Sequence, residues 1–205
     1  MKKILVITTM VIILGGIFLL LFKKPPAITN FPPKEGIIIA FGDSLVEGVG
    51  ATEGNAFPAK LGKLVGEPIL NMGHAGDTTE DGLRRLTEVL SENPRIVLLL
   101  LGGNDFLGKI PAEQTFINLD KIIARLQESG VLVILLGVRG GFLTDQYDQR
   151  YEELAKKRGA LYVPNVLKGL LSHDEFMSDS IHPNDAGYKK IAEKIYPVLQ
   201  KALGK

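Results

Sequence analysis

The chain has 205 residues, with 24 lysines and arginines against 23 aspartates and glutamates, three histidines and no cysteine. That length holds one well-buried domain and leaves no room for a second of ordinary size. The balanced charge carries no nucleic-acid footprint, and without cysteine there is no disulfide framework, no thiolate metal site and no thiol-linked lipid anchor.

The first element in chain order is an uncharged run, "ILVITTMVIILGGIFLLLF", at residues 4–22, with Lys2 and Lys3 before it and Lys23 and Lys24 after it. As a helix it would extend about 28 Å, the hydrocarbon thickness of a bilayer. It has no polar face, and no small-residue cleavage signal closes it, so residues 1–24 are expected to be an uncleaved single-pass membrane anchor. A cleaved signal peptide, leaving a secreted or periplasmic protein, is the alternative. A short basic tail on an N-terminal anchor most simply stays in the cytoplasm, which puts the rest of the chain outside it. Residues 25–36 carry two Pro-Pro pairs and are expected to be a stiff spacer, able to hold the domain roughly 30 Å from the membrane at about 3 Å per residue.

From residue 37 short apolar runs alternate with amphipathic segments. "IIIAF" is followed by a helix near 56–65, "PILNM" by one near 80–91, "RIVLLLL" by one near 112–129, and "VLVILLGV" by one near 145–157; then come "ALYV" and a last helix near 184–203. This is the rhythm of a parallel sheet with helices between its strands. "RIVLLLL" and "VLVILLG" are apolar without alternation, as central strands covered on both faces must be. Residues 37–205 are therefore expected to form one α/β domain, a doubly wound, five-stranded parallel sheet. Ligands of such sheets bind outside the carboxyl ends of the strands.

The residues that could carry chemistry fall at that edge. Ser44, in "FGDSLVEG", directly follows the first strand, with Gly42 permitting a sharp departure from it. A serine hydroxyl becomes a nucleophile only when an imidazole takes its proton and a carboxylate orients the imidazole. His182 in "SDSIHPND" has Asp179 three residues upstream, and Pro183 holds the backbone of His182 extended. The bland reading of that segment is a surface loop in which Asn184 caps the last helix. His173 in "LSHDEF" reads as solvated, and His74 in "NMGHAGDTT" reads as a candidate substrate contact with only Asp77 beside it. Acyl transfer also needs donors aimed at an oxyanion. Gly76 after the second strand and Asn104 in "LGGND" after the third are candidates, although either residue type is equally at home in an ordinary turn.

Taken together, "FGDSL", "AGDTT", "GGND" and "DSIHPN" resemble, in order and spacing, the motifs of the SGNH (GDSL) hydrolase superfamily. The resemblance covers nearly all of residues 37–203 and looks nearest to the thioesterase I, lysophospholipase and arylesterase branch. It implies a flavodoxin-like, three-layer fold and a serine esterase in which Ser44 is the nucleophile, His182 the base and then the acid, and Asp179 the residue that orients it. The oxyanion hole it implies is the N–H of Ser44, that of Gly76 and the side chain of Asn104. It implies no metal and no cofactor, a small ester or lipid as substrate, and no obligate protein partner. The glycine-rich stretch 138–151, with Arg139 and Phe142, departs from the shared blocks and is expected to shape substrate access.

Other readings are weaker. "GNDFLGKI" fits G-x-x-x-x-G-K, but Ile110 stands where a magnesium-holding Ser or Thr belongs, and the stretch follows the third strand rather than the first. "GDSLV" is not the G-x-S-x-G elbow of α/β-hydrolases. A non-catalytic module binding lipid or glycan in the same cleft, and an esterase removing O-acetyl groups from an envelope polysaccharide, are the remaining alternatives.

Overall fold

The computed structural model describes residues 27–138 and 145–205. The expected anchor and residues Arg139 and Phe142 lie outside the described residues; among those described, no helix is long and apolar enough to cross a membrane.

The unbroken apolar runs are the middle of the sheet. Strand β1 (Ile37–Gly42), β3 (Pro94–Leu100) and β4 (Leu132–Leu136) bury Ile38–Phe41, Ile96–Leu100 and the whole of β4 completely. Full burial of each Ile, Leu, Val or Phe among them contributes about 1.5–3 kcal/mol, and this is where the fold's driving force is concentrated. The edge strands β2 (Ile69–Gly73) and β5 (Leu161–Val163) are more exposed or shorter. All pairings are parallel, in the order β2-β1-β3-β4-β5, the flavodoxin-type doubly wound order.

Between the strands run α1 (Ser44–Glu47), α2 (Phe57–Val65), α3 (Thr79–Ser91), α4 (Gly103–Leu107), α5 (Ala112–Glu128) and α6 (Asp145–Arg158), and α7 (Asp185–Ala202) follows β5. Helices α2 and α7 pack together on one face, while α3 packs on α5 and α5 on α6 on the other, which makes three layers. Local chemistry sets the helix ends. Thr78 and Asp81 form a reciprocal capping box at the start of α3, and Asn184 caps α7 by accepting from the N–H groups of Ala186 and Gly187. The two short helices α1 and α4 are too brief for a periodic signal; both follow a strand at the carboxyl edge.

The proline-rich segment is not a free rod along its described length. Thr29 donates its N–H to Gly159 O (2.8 Å) and its hydroxyl to Arg158 O (2.9 Å). Asn30 Nδ2 donates to Gln127 O and Val131 O, both at 2.9 Å, and Lys34 Nζ to Ser129 O. These acceptors sit where α5 and α6 end and β4 and β5 begin, at the amino edge of the sheet. Residues 27–34 are thus strapped to the domain, and the expected 30 Å stand-off is reduced accordingly.

Candidate active site

The chain winds outward from β1 to β2, then returns to the other side of β1 with β3, so the switch point lies between the carboxyl ends of β1 and β3. Gly42 and Leu100 are paired there. A Cβ on Gly42 would lie 2.0 Å from Leu100 O, so this glycine is required by close approach to β3 rather than by a sharp backbone turn. Gly73, at the end of β2, is equally constrained: a Cβ would lie 2.0 Å from the N of Glu47. Asn71 fastens the same junction, donating to Val46 O and accepting from Gly73 N–H.

Ser44 is the first residue of α1, so its N–H is one of the first-turn donors for which the helix has no acceptor. Asp43 caps α1, its Oδ1 accepting from Leu45 N–H at 3.0 Å. Asp43 is 1% exposed, and burial, reinforced by the charges of Asp77 and Asp105, lifts its carboxyl to about 7 despite that hydrogen bond.

The loop before α7 carries the other two polar groups. A Met177–Pro183 bridge and a Ser178 N–H bond to His182 O (2.8 Å) close it into a tight turn. Asn184 serves both as the helix cap and as a fastener of this loop, with Nδ2 donating to Glu175 O and Met177 O. Inside the turn, Asp179 Oδ1 accepts from the N–H groups of Ile181 and His182, each at 2.8 Å, and Oδ2 accepts from His182 Nδ1 at 2.8 Å. The Ile181 N–H bond first, and then the imidazole, hold the Asp179 carboxyl down to about 2. An ionised carboxylate on Nδ1 fixes the proton there and leaves Nε2 as an acceptor. Nε2 faces Ser44, whose Oγ–H donates to it at 3.1 Å. Ser44, His182 and Asp179 therefore form one hydrogen-bonded chain, although 138 positions separate Ser44 from His182.

Asn104 lies in the first turn of α4, and α6 steadies the loop that leads to it: Tyr151 Oη donates to Leu101 O at 2.7 Å. Asn104 Nδ2 donates to Asp77 O at 2.9 Å, which uses one of its two amide hydrogens. Asp77 is itself held, its carboxylate accepting from Arg85 Nε (2.8 Å) and contacting His74 Nδ1 (3.1 Å). Asp105, 1% exposed, accepts from the N–H and hydroxyl of Thr79 and so ties α4 to the start of α3. The Asn104–Asp77 and Asp105–Thr79 links join segments that follow different strands, and neither has a local sequence signature.

A cleft of about 300 Å³ opens over Ser44, lined by Asn104 and His182 and by the apolar side chains of Phe106, Leu107, Val138, Leu167, Leu171 and Ile181. Gly76 does not line it; its backbone is left-handed (φ 88°), and among the described residues its N–H has no acceptor. His74 is also off the cleft lining, its side chain 68% exposed and its Nδ1 beside the Asp77 carboxylate. His173 is exposed beside Glu175, as its sequence context predicts.

The comparisons with known proteins agree with this architecture. Residues 40–190 match the GDSL-like lipase/acylhydrolase family. The chain is 30% identical to an arylesterase of Vibrio mimicus over 81% of its own length and 89% of the relative's. It is likewise 30% identical to the thioesterase 1/protease 1/lysophospholipase L1 of Escherichia coli, over 80% and 83%. The crystal structure of TesA superposes with a TM-score of 0.73 at 28% identity, covering 82% of this chain and 99% of that one. The chain belongs to the GDSL-like lipase/acylhydrolase family and is an ester hydrolase of the SGNH type.

Proposed function

We propose that the protein hydrolyses carboxylic esters through an acyl-enzyme on Ser44. The observation that carries the reading is the hydrogen-bonded chain Ser44–His182–Asp179 at the mouth of an apolar cleft. His182 Nε2 takes the Ser44 proton as Oγ attacks the carbonyl carbon, and the imidazolium, stabilised by ionised Asp179, returns that proton to the leaving oxygen or sulfur. Water, activated by the same imidazole, then attacks the acyl-enzyme and releases the acid. The oxyanion is met by the Ser44 N–H and the second Asn104 amide hydrogen, donors that line the cleft and cost no reorganisation because the fold holds them; the Gly76 N–H, off the cleft lining but without an acceptor among the described residues, is the third donor the family resemblance implies. Asp77, with Arg85, positions the Asn104 amide through the Asp77 carbonyl.

The apolar lining supports an acyl or aryl group as the part of the substrate that enters the cleft. The activities named for the relatives, arylesterase, thioesterase and lysophospholipase, are consistent with it. An O-acetyl esterase acting on an envelope polysaccharide is the second reading, favoured by the expected anchoring of the domain outside the cytoplasm by residues 4–22. Ser44→Ala tests the reading: hydrolysis of p-nitrophenyl acetate and of longer acyl esters should fall about 10⁴-fold or more in kcat with the melting temperature retained. Turnover above a few percent of wild type in a pure preparation contradicts it.

A further inference from the structure

The strap fixes where the chain enters the domain. Ala27 and Thr29 lie against Gly159, and Asn30 is held between the ends of α5 and the start of β4. Both contacts are at the amino edge of the sheet, whereas Ser44, Asn104 and His182 lie at the carboxyl edge. Strand β3 alone has seven residues, about 23 Å at ~3.3 Å each, and the loops beyond it add to that separation.

The connection to the uncharged run is short. From Phe22 to Ala27 there are five Cα–Cα steps, which reach at most about 18 Å whatever path they follow. A domain of this size is roughly 40 Å across. Held at its amino edge by a tether of that length, it can lean, but it cannot invert to press its carboxyl edge against the surface that holds residues 4–22.

We propose that the amino edge of the sheet is the membrane-facing surface and that the cleft opens away from the anchoring bilayer, so its substrate is an ester presented from the aqueous side rather than an acyl lipid of that bilayer. The inference rests on the reading of residues 4–22 as a retained anchor and on the esterase reading of the Ser44 site. It narrows the substrate class of that site: arylesters, short acyl esters and acylated polymers reach the cleft, and acyl chains embedded in the supporting membrane do not.

The natural chain has no cysteine, so single reporters can be introduced cleanly. Glu92→Cys marks the amino edge in the turn between α3 and β3, and Glu53→Cys marks the carboxyl edge in the loop that Thr52 ties to Asp185. The full chain is reconstituted in phosphatidylcholine–phosphatidylglycerol vesicles carrying a headgroup-linked energy acceptor, and vesicle flotation reports attachment. Transfer should be several-fold stronger from the label at position 92 than from that at position 53; equal or reversed transfer overturns the orientation. Thr29→Ala with Asn30→Ala should reduce the contrast, and an unchanged contrast removes the strap from its cause. In the same vesicles, p-nitrophenyl acetate should be hydrolysed, per serine labelled by a fluorophosphonate, as fast as by the same full chain in detergent micelles. An acyl ester lipid should be cleaved no faster in the anchoring vesicle than when carried by separate vesicles, and a tenfold preference for the anchoring vesicle overturns the substrate assignment. Failure to float removes the anchor and the proposal with it, while loss of p-nitrophenyl acetate turnover in floated protein points to the esterase reading instead.

Discussion

The two edges of the sheet are finished in different ways. At the amino edge the carbonyls at the ends of α5 and α6 are taken up by Thr29, Asn30 and Lys34, so that polar groups are paired by a segment outside the sheet. At the carboxyl edge the backbone N–H groups of Ser44 and Gly76 have no acceptor among the described residues, and three aspartates, Asp43, Asp77 and Asp105, are buried close together. Pairing a polar group lowers the free energy of the fold, and leaving a donor open, as the Ser44 N–H is at the floor of the cleft, costs stability while keeping it available to charge that develops in a reaction. The contrast locates function at one edge and structure at the other, and it can be broken experimentally from either side.

At the carboxyl edge, Asn104→Ala should lower kcat on the order of 10²–10³-fold with little change in KM, because its amide gains strength only as the oxyanion forms. Asp77→Ala should lower kcat by about tenfold in the wild-type background and have little further effect on Asn104→Ala, since its influence passes through that amide. Additive losses in the double variant would make Asp77 a general structural residue. If Asn104 served only the turn it starts, the variant would lose about 1–2 kcal/mol of stability and keep its per-site kcat.

A smaller effect at the same edge is a dependence on pH. The Asp43 carboxyl is raised by burial to about 7, so the folded state retains its proton where the unfolded chain, with the ordinary aspartate value of 3.8, has lost it. The stability this group contributes is present below the unfolded value and is lost as pH rises through the folded one. Asp43→Asn, which keeps the helix-capping oxygen, should therefore gain on wild type between pH 4 and 7, by roughly 2–4 kcal/mol. Denaturant titrations across that range check it, and a constant difference would mean that Asp43 is ionised throughout.

The smallest expected change belongs to the amino edge. Asn30→Ala removes two hydrogen bonds to main-chain carbonyls and should cost about 1–2 kcal/mol, a few degrees in melting temperature. The kcat per labelled active site should not move. A fall in that kcat would show the two edges to be coupled and the contrast to be false.

Much of the fold was legible in the sequence because its signals are local. The unbroken apolar runs at 95–101 and 131–138 announced central strands, and Asn184 before the last helix announced its start. The pairing of Asp179 with His182 was legible for the same reason: three residues and a proline confine both to one tight turn. What escaped was long-range. The sequence does not record that Asn104 bonds to Asp77, that Asp105 bonds to Thr79, or that Asn30 reaches Gln127, because each pair meets only once the sheet has formed. The direction of the His74 ring was not legible for a related reason: proximity along the chain located its loop, but not the contact with Asp77 that orients the ring away from the cleft lining.

The central claim, that the fold activates Ser44 through His182, is tested most directly by labelling the protein with a fluorophosphonate and mapping the adduct by mass spectrometry. The account predicts one stoichiometric adduct, on Ser44, absent from Ser44→Ala and slowed at least a hundredfold in His182→Ala while the fold persists. An adduct on another residue, or equal labelling rates in wild type and His182→Ala, would contradict it.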